Sequence, residues 1–160
     1  SSRIAHLEIR EVVASSELAM AMTVRAGEPL ISVARVVEID AVPMIHLHDF
    51  LPAAICNCTV DTLRTNFSDS VIDFFDGSEG RPCIEWSDSH LGSAPADEAM
   101  AVMLRVQPGD VLFRLEESFY DDSGGLVSWS RNHIVPEYFK FHFRRRVVRK
   151  ECAPGPDLSS

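Results

Sequence analysis

A stretch near the start of the chain recurs 82 residues later, so the fold is expected to contain one helix-then-hairpin unit twice. At that offset Ala19, Val24, Gly27, Leu30 and Asp40 fall on Ala101, Val106, Gly109, Leu112 and Asp122, and Glu28 meets Asp110. In each copy a strand-like run and an acidic turn follow the helical segment. Two copies are too few for a solenoid, but they can pair strands around a shared pocket. A pocket between repeats is a binding site before it is anything else.

With 160 residues and 46% hydrophobic content, the chain is long enough to bury a core and short enough to be one domain. We assign residues 1–150 to that domain and 151–160 to a frayed tail. The net charge of −9, with its only basic cluster at Arg144, Arg145, Arg146, Arg149 and Lys150, argues against direct nucleic-acid binding, which needs a concentrated cationic face. No apolar run reaches the roughly 20 residues that span a bilayer, and the start lacks the apolar stretch of a signal peptide. A cytoplasmic protein is the resulting expectation. Cys56, Cys58, Cys83 and Cys152 show no disulfide framework, which fits reduced thiols. The opening residues lack an initiator Met and begin inside a strand-like pattern, as a piece of a longer polypeptide would.

Partial alternation over 5–13 predicts a strand, and Ser15 or Ser16 caps a helix that Gly27 and Pro29 end. Residues 30–39 and 44–50, joined by a turn at 40–43, predict a hairpin. A short helix is expected between 53 and 65, and another after Ser70. A strand over 84–90 then leads into the second repeat, whose helix opens across 93–97 and runs to about 104. Strands over 111–120 and 126–135 form the second hairpin, and a last strand is expected over 141–148. The sum is an α+β fold: an antiparallel sheet of about six strands carrying about three helices.

Four stretches give this order of features a family likeness. They are Ala26-Gly27-Glu28-Pro29-Leu30 leading into Val33-Ala34-Arg35-Val36; Val42-Pro43 ahead of Phe50-Leu51-Pro52; Ala99 to Leu112 with Val106-Gln107-Pro108-Gly109; and Tyr120-Asp121-Asp122 through Ser130 to Tyr138-Phe139-Lys140-Phe141. Over residues 5–148 the chain resembles the UTRA domain, the effector-binding part of HutC-type GntR transcription regulators, which has a chorismate lyase-like fold. The resemblance implies a small-molecule effector, a homodimer and a winged-helix DNA-binding domain ahead of Ser1. It implies no cofactor and no catalysis.

Within that resemblance, Arg35 stands where members that bind phosphorylated ligands carry an anion-holding Arg, and Ser70 matches a Ser at the start of the central helix. A second Arg often found two positions on is Val37 here, the aromatic residue two positions after Ser70 is Ile72, and Ser128 replaces a frequent Glu. These departures argue against a phosphosugar clamp. From the residues alone, Arg35 in an apolar strand needs an anionic partner or a path to water; a structural salt bridge to Glu38, Glu116 or Glu117 is the alternative to ligand contact. Ser128 and Ser130 share one strand face, and His46 and His48 share another. If the two hairpin strands pair, Arg35 and the histidines converge on one acidic ligand, with Trp129 and Arg131 as the second copy's counterparts.

His46, His48 and Asp49, with Cys56 and Cys58 near in sequence, also admit a metal reading, although the spacing is none of the zinc frameworks. No nucleotide loop, nucleophile elbow or acid/base carboxylate pair is present in the sequence. The expectation is a sensor that binds a small acidic molecule at Arg35, His46, His48, Ser70, Ser128 and Ser130. A stand-alone chorismate lyase-like enzyme, with Arg35 anchoring a carboxylate, is the alternative.

Overall fold

The computed structural model describes residues 1–76 and 80–146. Six strands form one antiparallel sheet: β1 (Ser2–Val13), β2 (Pro29–Ile39), β3 (Val42–Pro52), β4 (Trp86–Pro95), β5 (Val111–Tyr120) and β6 (Leu126–Ile134). Their spatial order is β1-β2-β3-β6-β5-β4, so the two halves meet at β3 and β6. Helix α1 (Ser16–Met22) lies between β1 and β2; α2 (Ala53–Cys56), α3 (Val60–Asn66) and α4 (Val71–Asp76) lie between β3 and β4; α5 (Glu98–Leu104) lies between β4 and β5.

The repeat is real down to single hydrogen bonds. Ser15 caps α1 by accepting from the Leu18 amide, and Asp97 caps α5 by accepting from the Met100 amide. Both helices end on a residue in the left-handed region, Thr23 and Arg105. The Gly27 amide donates to the Ala14 carbonyl, and the Gly109 amide to the Ala96 carbonyl, each at 2.8 Å. Gly27 and Gly109 have φ of +83° and +88°, which explains why glycine occupies both turns. The aligned acids do the same work: Glu28 accepts from the Arg25 amide and Asp110 from the Gln107 amide.

Each hairpin also carries a β-bulge at the same place. In the first, Glu38 pairs with Pro43 and Val37 with Ile45, which leaves Met44 without an opposite residue. In the second, Tyr120 pairs with Leu126 and Phe119 with Ser128, which leaves Val127 extra. An additional residue in the second turn raises the offset between copies from 82 to 83 beyond it. The first turn is the tight one, with Asp40 and Ala41 both at positive φ, as a two-residue hairpin loop requires.

Helices α1 and α5 cover one face of the sheet. There Met22 packs with Leu30 and Trp129, and Ala101 and Leu104 pack with Val36 and Leu112. The segment α2–α4, which has no counterpart in the other half, covers the opposite face: Cys56, Leu63, Phe74 and Phe75 pack with Ile31, Val33 and Leu51. Successive strand residues alternate between these two layers, so register decides which site a side chain joins.

Two expectations need correction. No strand forms over 141–146, where the backbone follows the short 3₁₀ turn Pro136–Tyr138 without pairing; residues 147–148 and the expected tail at 151–160 lie outside the described residues. The strand expected over 84–90 instead runs from Trp86 to Pro95, and its helix begins only after Asp97. Pro95 is tolerated as a strand residue because β4 is an edge that pairs with β5 alone.

Candidate functional site

Two cavities lie on the central strands, one on each face of the sheet. The first, about 140 Å³, is on the α2–α4 face and is lined by Arg35, Leu47, Asp49, Ser130 and Asn132 from the middle of the sheet, Glu117 and Phe119 from β5, and Ser70, Val71 and Ile72 from the start of α4. Arg35 is buried, and its Nη1 donates to Asp49 Oδ2 at 2.5 Å. Its Nε donates to the Asp69 carbonyl at 3.2 Å, and its guanidinium lies 5.3 Å from the centre of the Phe67 ring. Arg35 Nη2 has no hydrogen-bond partner among the described residues. Burial pushes the Asp49 carboxyl upward, and the Arg35 charge opposes that rise.

The polar residues around this pair are already tied together. Asn132 Nδ2 donates to Ser130 Oγ and to Glu117 Oε2, at 3.3 and 3.4 Å, and Asn132 Oδ1 accepts from the His48 amide. Ser70 Oγ accepts from the Ile72 and Asp73 amides, as an N-cap does. Ser128 lies outside the lining, fully buried, with a hydroxyl that finds no hydrogen-bond partner.

The second cavity, about 280 Å³, is on the α1–α5 face. His46, His48 and Phe50 of β3 and Trp129, Arg131 and His133 of β6 form its floor. Ser15, Glu17, Leu18 and Met100 of the helical layer form its rim. His48 Nε2 shares a 2.7 Å hydrogen bond with Ser32 Oγ, and the His48 ring stacks 4.2 Å from Phe50. His46 faces His133 across the seam, with ring centres 6.4 Å apart. Burial first, and neighbouring positive charge second, hold His46 and His48 down at about 4 and lower His133 too, so all three rings are neutral at pH 7.

Arg35, Ser70 and Ser130 therefore share one cavity, whereas His46 and His48 line the other, on the opposite face. The bulge is the reason. Counting back from the turn without Met44 pairs Arg35 with His46; with Met44 inserted, Arg35 pairs with Leu47, and every residue of β3 beyond it points to the other face. The expected convergence of the arginine and the histidines is thus corrected. So is the partner of Arg35, which is Asp49; Glu38 instead meets Arg3 and Arg105. Asn132 and His133 were missed, and the pairing of β3 with β6 brings them in; Asp49, read only as a companion of the histidines, comes to Arg35 through the shifted register of β2 and β3. Among the described residues no cluster of three or more His, Cys, Asp or Glu side chains is placed to hold a metal ion.

No curated protein matches the chain in sequence. Among solved structures, the effector domain of PhnF from Mycobacterium smegmatis superposes with a TM-score of 0.79 at 19% identity, over 92% of this chain and 88% of that one. The whole of PhnF gives the same score and identity, but this chain covers only 64% of it. A GntR-family transcriptional regulator from Bacillus cereus superposes with a TM-score of 0.75 at 20% identity, over 91% of this chain and 98% of that one. These likenesses agree on the fold. The UTRA domain family model matches residues 2–140, nearly the full described length. The chain belongs to the UTRA domain family.

Proposed function

We propose that this chain is the effector-sensing domain of a HutC-type GntR transcription regulator, and that it binds a small acidic metabolite in the Arg35 cavity. Family membership supports the regulatory role. One observation carries the ligand class: Arg35 is fixed by Asp49 and the Asp69 carbonyl, yet keeps Nη2 unpartnered beside a cavity. A rigidly held guanidinium with a spare N–H is a ready contact for a carboxylate or similar oxyanion. Ser70 and Ser130 complete the contact surface, whereas Ser128 lies outside the lining.

No chemical step belongs to this reading. The Ser70 hydroxyl serves backbone amides and the Ser130 hydroxyl serves Asn132, so neither is poised against a base as a nucleophile must be. Effector binding acts by favouring one arrangement of a cytoplasmic homodimer over another, which repositions winged-helix domains on DNA. The coupling equals the difference in effector affinity between those arrangements.

A thermal-shift screen of sugar phosphates, phosphonates, amino-acid catabolites and aromatic acids tests the proposal. A true effector at about 100 times its Kd stabilises the domain by about 2.7 kcal/mol. Arg35→Lys retains the charge opposite Asp49 but removes the spare N–H, and it is expected to abolish the shift. An acid that stabilises wild type and Arg35→Lys equally places the effector elsewhere.

A further inference from the structure

The larger cavity on the α1–α5 face is left over by that function. It sits on the internal two-fold axis, and the two repeats contribute to it in matched pairs. Leu18 of α1 corresponds to Met100 of α5, and beyond the turns His46 corresponds to Trp129 and Phe50 to His133. Each half thus supplies one apolar helix residue, and on the strands an aromatic ring in one copy stands where the other has a histidine.

We propose that this cavity is a second ligand site, which takes a small, flat, uncharged heteroaromatic molecule. Three observations select that class. Phe50 and Trp129 form an aromatic wall with ring centres 6.0 Å apart, and π-faces favour a planar partner. His46 and His133 line the space and make no side-chain hydrogen bond among the described residues; each Nδ1 is sealed away from the cavity, so the Nε2 of each neutral imidazole is the atom open to a ligand. The only cation in the lining, Arg131, is already held by Glu17 at 2.8 Å and Glu116 at 3.3 Å, so a ligand carboxylate gains little there. A ligand edge carrying both N–H and C=O or ring nitrogen suits two neutral histidines whose Nε2 atoms donate or accept according to tautomer. The volume, about 280 Å³, is at the lower end of ordinary small-molecule sites, which limits the occupant to a compound of base-like size.

The test is saturation-transfer NMR on the 160-residue chain with uracil, adenine and nicotinamide as probes and benzoate as the charged control. At least one heteroaromatic probe is expected to bind saturably. His133→Ala is expected to weaken it tenfold or more, and Met100→Trp, which fills the cavity from the helix side without touching the polar floor, to abolish it. Arg35→Lys is expected to leave it unchanged, which separates this site from the proposed effector cavity. Failure of all three probes to bind saturably overturns the proposal. So does binding indifferent to both cavity variants, binding lost in Arg35→Lys, or benzoate binding more tightly than every neutral probe.

Discussion

Replacing Arg35 by Met removes the partner of a buried carboxylate and fills similar space with an apolar chain. Arg35 and Asp49 have side chains only 5% and 8% exposed, and Asp49 has no other hydrogen-bond donor among the described residues. The single change therefore strands a desolvated charge, and stranding one partner of such a pair costs roughly 3–5 kcal/mol. In a domain of this size that corresponds to a fall in Tm of about 6–20 °C. Arg35→Met with Asp49→Leu leaves no charge behind, and apolar replacement of a whole buried pair is near neutral or stabilising. The double variant should recover most of the loss. pH supplies a further check of sign. Arg35 is what opposes the burial-driven rise of Asp49, so its removal raises that carboxyl further. A carboxyl raised in the folded state penalises folding above its folded pKa, and the penalty shrinks as pH falls. Urea titrations at pH 7.5 and 5 should therefore show the single variant's deficit narrowing, with an unchanged slope. A double variant as unstable as the single, or a deficit that widens on acidification, refutes the reasoning.

Two further outcomes follow from the fold. Gly27→Ala and Gly109→Ala meet open space but force a side chain into the left-handed region, so thermal unfolding should show matched losses of about 1 kcal/mol. His46 and His48 titrate at about 4 when folded against 6.5 ordinarily, so below pH 6.5 the unfolded chain takes up protons first. Stability should fall as pH drops from 6.5 through 4, and His48→Gln, which retains a hydrogen-bonding group beside Ser32, should flatten that slope in urea midpoints.

Much of the architecture was legible in the residues. The repeat announced itself because the left-handed turn admits glycine at 27 and 109, whereas the matching caps at Ser15 and Asp97 differ in residue type and became evident as a pair only in the structure. The bulges were not legible. Met44 and Val127 are ordinary apolar strand residues, neither is glycine, and nothing local shows that one of them lacks an opposite neighbour. That omission moved a whole strand to the wrong face, and so merged two cavities into one. Similarly, Phe141 and Phe143 read as strand residues by type, but strand propensity is realised only where a partner edge is at hand. Arg35 and Ser70 were singled out by the likeness to the family, whereas Asp49 joins Arg35 only through the bulged register of β2 and β3, and Asn132 only through pairing across the seam.

The seam between β3 and β6 joins two halves that are copies of one another, and Arg35 and Glu117 occupy the same position in those copies while lining the same cavity. Two separate, identical half-chains meeting in this way would be obliged to put like charges there. Covalent fusion lifts that obligation. One polypeptide can carry a cation in its first half and an anion in its second, and so present a polarised chamber that no symmetric pair of subunits can build.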